Sequence, residues 1–255
     1  PPPRSGPTSA GSAPATAADR GRLTVIRDGA RPGAENMAAD ADLLARRAPG
    51  DPPVLRLYRW SPPAVSYGYH QDPDDFDREV IDRRGWGLVR RPTGGRAILH
   101  AQELTYAVAG DAPSARFGDD LHAVYAAING ALTEFLRRLG LSPDISQGES
   151  LAEARGAVCF QSAGRHEVTV GGRKLVGSAQ RRHPDRFLQH GSILTGPAHV
   201  DLLDCLRGED RGPARRAELL AATTNLGELL GRDCEGTFAT ELEDLLAAVF
   251  DDHFG

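Results

Sequence analysis

The spacing of apolar positions changes several times along this chain, and each change marks an element. From Ala34 to Ala48 the run AENMAADADLLARRA combines good helix formers with an apolar residue about every third or fourth place, which predicts the first helix. Short β-rich runs follow: VLRLYRW from Val54, AVSYGYH from Ala64 and ELTYAVAG from Glu103, separated by Pro, Gly and Asp. Helical spacing returns from Asp119 to Leu141 and meets a glycine near its end, so this helix is expected to cover one sheet face. HEVTV and RKLVGSAQ then flank Gly171 and Gly172, a pair suited to the positive φ angles of a tight hairpin turn. FLQHGSIL from Phe187 reads as the next strand, and Pro213 to Phe254 is helical again. This order predicts an α+β fold, a mostly antiparallel sheet packed with helices and without internal repeats.

Residues 1–20 contain no Val, Ile, Leu or aromatic residue and cannot bury enough surface to offset chain entropy, so they read as a disordered tail. Residues 21–255 are long enough for one large core, and a single domain is expected. A formal net charge of −5 gives no reason to expect nucleic acid or an anionic membrane as the main partner. No apolar run has the length of a membrane span, and the chain opens without a secretory signal, so a cytoplasmic protein is expected. Three cysteines at wide spacing (Cys159, Cys205, Cys234) fit neither a disulfide framework nor a metal clamp. Cys205 and Cys234 stand in helix-like surroundings that suggest inert packing. One compositional feature is unusual: the only lysine among the basic residues is Lys174.

Three segments carry candidate chemistry. In RRPTGGRAILH, Arg90 to His100, two adjacent glycines among arginines would let backbone approach a ligand closely, although such a segment taken alone is more often just a turn. In KLVGSAQ, Lys174 to Gln180, strand alternation would put Lys174, Val176, Ser178 and Gln180 on one face and Leu175, Gly177 and Ala179 on the other. In LQHGSIL, Leu188 to Leu194, His190 and Gly191 interrupt an apolar strand, where a lone histidine is more often structural. The histidines show no metal-ligand spacing, and a GxSxG elbow is absent.

Taken together, in this order and spacing, the three segments resemble the lipoate-protein ligase and biotin ligase superfamily over roughly Arg27 to Phe250. RRPTGGRAILH running on into AQELTYAV, with Cys159-Phe160 ahead of Lys174, is most similar to the LipM-type octanoyltransferases. The resemblance implies a biotin/lipoate ligase-like catalytic domain in which octanoyl-acyl carrier protein acylates Cys159. The acyl group would then pass to the lysine of a lipoyl domain, such as the glycine-cleavage H protein, without ATP or any cofactor. Lys174 would lower the Cys159 pKa and orient the acyl carbonyl. Arg91, Thr93, Gly94, Gly95, Arg96, His100, Gly177, Ser178, Ala179, His190 and Gly191 would form the substrate site. An ATP-dependent lipoate ligase and an amidotransferase acting between two lipoyl domains are the rival enzyme readings, and a monomer is the default.

The chemistry asks for these groups. A thiol of pKa about 8.5 is only a few per cent thiolate at neutral pH, and a nearby ammonium favours the nucleophilic form. Burying an eight-carbon chain could contribute on the order of 5 kcal/mol before ordering costs, so an apolar tunnel is expected. Strand alternation assigns Tyr67, Gly95, Ile98, Leu175, Gly177 and Ala179 to its wall. Arg90, Arg91, Arg96, Arg181, Arg182 and Arg186 would form a basic mouth that steers acidic carrier domains.

Overall fold

A computed structural model describes residues 21–146, 167–208 and 211–255. Its centre is a seven-stranded sheet. Strands β1 (Thr24–Arg31) and β2 (Val54–Trp60) pair in parallel at one edge. β2 is antiparallel to β6 (Glu103–Asp111), which is antiparallel to β10 (Arg186–Leu194), which in turn is antiparallel to β9 (Arg173–Arg182). The short strands β8 (Val168–Val170) and β7 (Pro143–Ile145) complete the order β1-β2-β6-β10-β9-β8-β7. A second, three-stranded sheet has β3 (Ala64–Tyr67) between β4 (Gly87–Arg90), parallel to it, and β5 (Ile98–His100), antiparallel. The expected antiparallel character therefore holds at the centre. The parallel β1–β2 pair follows from the crossover of helix α1 (Gly33–Ala45) between the two strands.

Alternation along the central strands sorts residues to two faces. Leu55, Leu57, Leu104, Tyr106, Val108, Phe187 and Ile193 join helices α3 (Leu121–Arg138) and α6 (Gly236–Phe254) in the main core, with Phe135, Leu136 and Phe250 fully buried. On the other face, Met37 and Leu44 of α1 pack against Tyr58, Trp60, Ala107, Ala109 and Leu188. Helix α3 forms because Val124, Ile128, Ala131, Leu132 and Phe135 recur on one side and because Asp120 caps its first turn, accepting a 2.8 Å hydrogen bond from the Ala123 amide. Gly140, with φ of 79°, follows its end.

The predicted hairpin is present: Gly171 (φ 58°) and Gly172 (φ 75°) form the two-residue turn between β8 and β9. Pairing jumps from Thr169↔Lys174 to Val168↔Val176, which leaves Leu175 as the extra residue of a bulge. The bulge overturns the expected single face of Lys174, Val176, Ser178 and Gln180. Val176 joins the aliphatic core, whereas Lys174 is buried in an ion pair. The helical C-terminal region is three helices: α4 (Pro213–Ala222), α5 (Leu226–Leu230) and α6. Residues 1–20 and Cys159 lie outside the described residues, and so does the Gln161 to Gly164 segment after it. Helix α2 (Arg78–Arg83) precedes β4.

Candidate active site

Beyond Val176, β9 leaves β8 behind and pairs only with β10 among the described residues. A cavity of about 180 Å³ opens there. The RRPTGGR segment supplies Arg91, Gly94, Gly95 and Arg96 to its wall, and β9 supplies Gly177, Ser178, Ala179 and Gln180. His190, Gly191 and Ser192 come from β10, with His100 and Ile98 from β5, Met37 from α1 and Leu121 and Tyr125 from α3. The three sequence segments thus converge on one hollow. Of the tunnel residues expected, Gly95, Ile98, Gly177 and Ala179 line it. Tyr67 and Leu175 do not: Tyr67 packs on Phe76 with ring centroids 5.6 Å apart, and the bulge turns Leu175 into the core.

The glycine loop is held from below. Arg91, only 4% exposed, donates from Nε and Nη2 to the Gly94 carbonyl at 3.0 and 2.8 Å, and from Nη2 to the Arg96 carbonyl at 2.7 Å. Its Nη1 reaches the Ser66 carbonyl and hydroxyl, both at 3.2 Å. Arg91 is therefore the keystone of the loop rather than part of a basic mouth. Gly95 has φ of 88°, and a Cβ there would stand 2.9 Å from Arg91 Nη2, so only glycine fits. Gly94 differs: a Cβ there would meet nothing within 4 Å, because it would enter open space at the cavity lip.

Two buried carboxylates, not anticipated from the sequence, set the polar groups of the cavity. Asp40 of α1 is fully buried, and its Oδ1 accepts from Arg56 Nη1 at 2.8 Å. Asp40 Oδ2 accepts from the Tyr58 hydroxyl and from His190 Nδ1, both at 2.8 Å. A carboxylate paired with arginine is an acceptor, so His190 carries its proton on Nδ1 and its Nε2 accepts from the Thr93 hydroxyl at 2.7 Å. Burial depresses the His190 pKa despite Asp40, which keeps the imidazole neutral. His190 thereby pins the loop at Thr93, which is buried with no exposed surface.

Glu103 plays the matching part beneath His100. Its Oε1 takes His100 Nδ1 at 2.7 Å and the Thr105 hydroxyl at 2.5 Å, and its Oε2 takes the Ser192 hydroxyl. His100 Nε2 meets Ser66 Oγ at 2.7 Å, and Trp60 stacks on the imidazole at 3.8 Å. Burial alone would push Glu103 up; the histidine and the two hydroxyls outweigh it and hold its carboxyl below the usual range. Every hydroxyl here is engaged with the protein, so Thr105 and Ser192 present mainly carbon to the cavity. On the other wall, Ser178 Oγ bonds the Tyr106 hydroxyl at 2.7 Å, and Gly191 lies so close under the Tyr106 ring that a Cβ would stand 2.6 Å from it.

Lys174 is buried, and its ammonium is ion-paired with Glu167, a cavity-lining residue. The charge of this single lysine is met by a carboxylate seven residues earlier in the chain. Cys205 and Cys234 are buried and free, and burial raises both thiols, Cys205 to about 11, as inert packing residues require. Arg186 is paired with Asp185 at 3.3 Å, and Arg182 donates to the Asp119 carbonyl. No group of three or more metal-ligating residues is assembled among the described residues. Nor is any described helix long and apolar enough to cross a membrane.

This arrangement of sheet, glycine loop and cavity is the lipoate-ligase fold. A bipartite lipoate protein ligase from Thermoplasma acidophilum superposes with a TM-score of 0.71 at 21% identity, covering 92% of this chain and 83% of that one. A lipoate-protein ligase A bound with ATP gives the same TM-score at 22% identity, over 92% and 85%. Sequence relatives are nearer. The chain is 41% identical over 206 residues to octanoyltransferase LipM of Moorella thermoacetica, covering 78% of this chain and 76% of the relative. To that of Symbiobacterium thermophilum it is 39% identical over 235 residues, covering 89% and 84%. The chain belongs to the lipoyl protein ligase A/B catalytic domain family, whose model matches residues 32–250, and within it to the LipM-type octanoyltransferases.

Proposed function

We propose that this protein is an octanoyltransferase of lipoate biosynthesis that moves an octanoyl group from a carrier-protein thioester to a lysine of a lipoyl domain by way of Cys159. The observation that carries the reading is the largely apolar cavity at the junction of the RRPTGGR loop, β9 and β10, in a chain about 40% identical to octanoyltransferases. Its wall, lined by Gly94, Gly95, Gly177 and Gly191, leaves room for an unbranched acyl chain, which would recover about 0.8 kcal/mol per buried methylene.

The steps balance without nucleotide. The Cys159 thiolate attacks the thioester carbonyl, the C–S bond to the carrier breaks, and the carrier sulfur leaves and takes a proton. The acceptor lysine then attacks the Cys159 thioester as a neutral amine, forms the amide, and returns the proton-bearing thiol. Thioester exchange is nearly isoenergetic and amide formation is downhill, so ATP has no step to drive. Lys174 would serve this cycle by releasing Glu167 and turning its ammonium to the sulfur, which favours thiolate. Cys159 stands eight residues before the cavity-lining Glu167 in the chain. Arg91, Thr93, His100 and His190 act as positioning groups, since their polar atoms bind the protein; Gly94, Gly95, Arg96, Gly177, Ser178, Ala179 and Gly191 form the acyl wall. The acceptor is a lipoyl domain such as the H protein of glycine cleavage, and the reaction belongs in the reducing cytoplasm, where a free thiol persists.

Incubation with octanoyl-acyl carrier protein, without ATP, is expected to add the mass of one octanoyl group to the wild type and none to Cys159→Ser. Modification that instead requires ATP and free octanoate, and that survives loss of the thiol, would establish the ligase reading.

A further inference from the structure

Arg90, at the end of β4, and Arg181, on β9, both lie over the ring of Tyr69, with guanidinium carbons 4.6 and 4.7 Å from its centroid. Tyr69 is one of the few exposed large apolar side chains, at 39%. The stack stands on the glycine loop: the Tyr69 amide donates to the Thr93 carbonyl at 2.9 Å, and Arg181 Nη1 donates to the Pro92 carbonyl at 3.2 Å. Gly94, Gly95 and Gln180, the next residues along both segments, line the cavity. Several described surface arginines are matched by carboxylates, among them Arg22, Arg27, Arg46, Arg84 and Arg138. Among the described residues, neither Arg90 nor Arg181 meets one. Two like charges are thus fixed against one ring, preorganised by cation–π contact and with no counter-ion among the described residues, next to the cavity opening.

Such a pair suits an anion with several oxygens better than a carboxylate-bearing surface, because two guanidinium forks can share one tetrahedral group. We propose that the Arg90–Tyr69–Arg181 stack is a phosphate subsite, which receives the phosphate of the pantetheine arm that delivers the octanoyl thioester. The inference rests on the acyl-transfer reading above and adds to it a point of recognition on the donor outside the acyl chain. The arm would be gripped at its phosphate end while the thioester enters the cavity, so the donor is held at two points.

The test compares two small donors carrying the same thioester, S-octanoyl-pantetheine and S-octanoyl-4′-phosphopantetheine, with the full chain and with release of the thiol as readout. The phosphorylated donor is expected to have a kcat/KM higher by about tenfold, a charge-assisted contact's worth, with the advantage shrinking as salt is added. Arg90→Gln and Arg181→Gln should each reduce that ratio, and the double variant should bring it near one. Because the quantity read is a ratio within one protein, partial loss of folded enzyme does not disturb it. Equal use of the two donors by the wild type would overturn the subsite while leaving acyl transfer intact, and a ratio that survives in the double variant would overturn it by moving phosphate recognition elsewhere. Failure of the wild type with both small donors and with octanoyl-acyl carrier protein would bring down the acyl-transfer reading itself. If ATP plus free octanoate modifies the protein and the double variant loses that reaction, the stack serves a nucleotide and the proposal falls.

Discussion

The two faces of the seven-stranded sheet are made from alternate residues of the same strands, yet they bury opposite chemistry. Leu55, Leu57, Leu104, Tyr106 and Val108 turn to the side of α3 and α6, where the filling is aliphatic and aromatic. Their immediate neighbours Arg56, Tyr58, Glu103 and Thr105 turn to the side of α1 and carry a buried polar network. The first face supplies cohesion roughly in proportion to area. The second is expensive to desolvate and of doubtful benefit to stability, since buried ion pairs seldom outperform apolar replacements. What it does supply is direction: Asp40 fixes the His190 tautomer and hence Thr93, and Glu103 draws two hydroxyls away from the cavity.

The sharpest way to break this contrast is Asp40→Ala, which leaves the Arg56 guanidinium unmatched on that side in the interior. We expect a loss of about 3–5 kcal/mol by denaturant titration, together with acyl transfer impaired in the fraction that remains folded. Leu57→Ala on the opposite face should cost about 3 kcal/mol through its cavity, while activity per folded molecule is retained. Equal damage to activity in both variants would show that the division of labour between the faces is wrong.

A separate acid sensitivity is expected at buried His199, whose Nε2 meets the Thr223 hydroxyl at 2.9 Å. Burial holds His199 at about 4, so between pH 6.5 and pH 4 the unfolded chain binds a proton that the folded chain does not. That contribution is fully present above the ordinary histidine value and is lost as pH falls, up to about 3 kcal/mol at the low end. His199→Gln should flatten this limb of the stability curve. The smallest effect belongs to the glycine loop. Gly94→Ala should leave stability nearly unchanged yet raise KM for the octanoyl donor severalfold, about 1 kcal/mol, by filling the cavity lip. Gly95→Ala, by contrast, should cost stability as well, because its φ of 88° strains any side chain.

Much of the architecture was legible because its cause is local. The 119–141 helix shows in the recurrence of Val124, Ile128, Leu132 and Phe135, and the hairpin at Gly171-Gly172 in residues that tolerate positive φ. Strand β1 escaped notice: TVIRDGAR mixes apolar and charged residues, and its register breaks between Arg27 and Gly29. The bulge at Leu175 was equally hidden, since one extra residue in β9 is defined only by its partner strand. Asp40 could have been suspected as an acid on the inward side of an amphipathic helix, but nothing in the run AENMAADADLLARRA names Arg56, Tyr58 and His190 as its partners.

The sequence by itself determined the order of helices and strands, the family, and the grouping of RRPTGGR, KLVGSAQ and LQHGSIL as the chemistry-bearing segments, because periodicity and motif spacing are written along the chain. Only the tertiary structure decided that Arg91 braces a loop, that Glu167 answers Lys174, and that Arg90 and Arg181 come together over the single ring of Tyr69. Those outcomes depend on which polar groups meet across strands and loops far apart in sequence, and on how burial strengthens each meeting, neither of which any single segment contains.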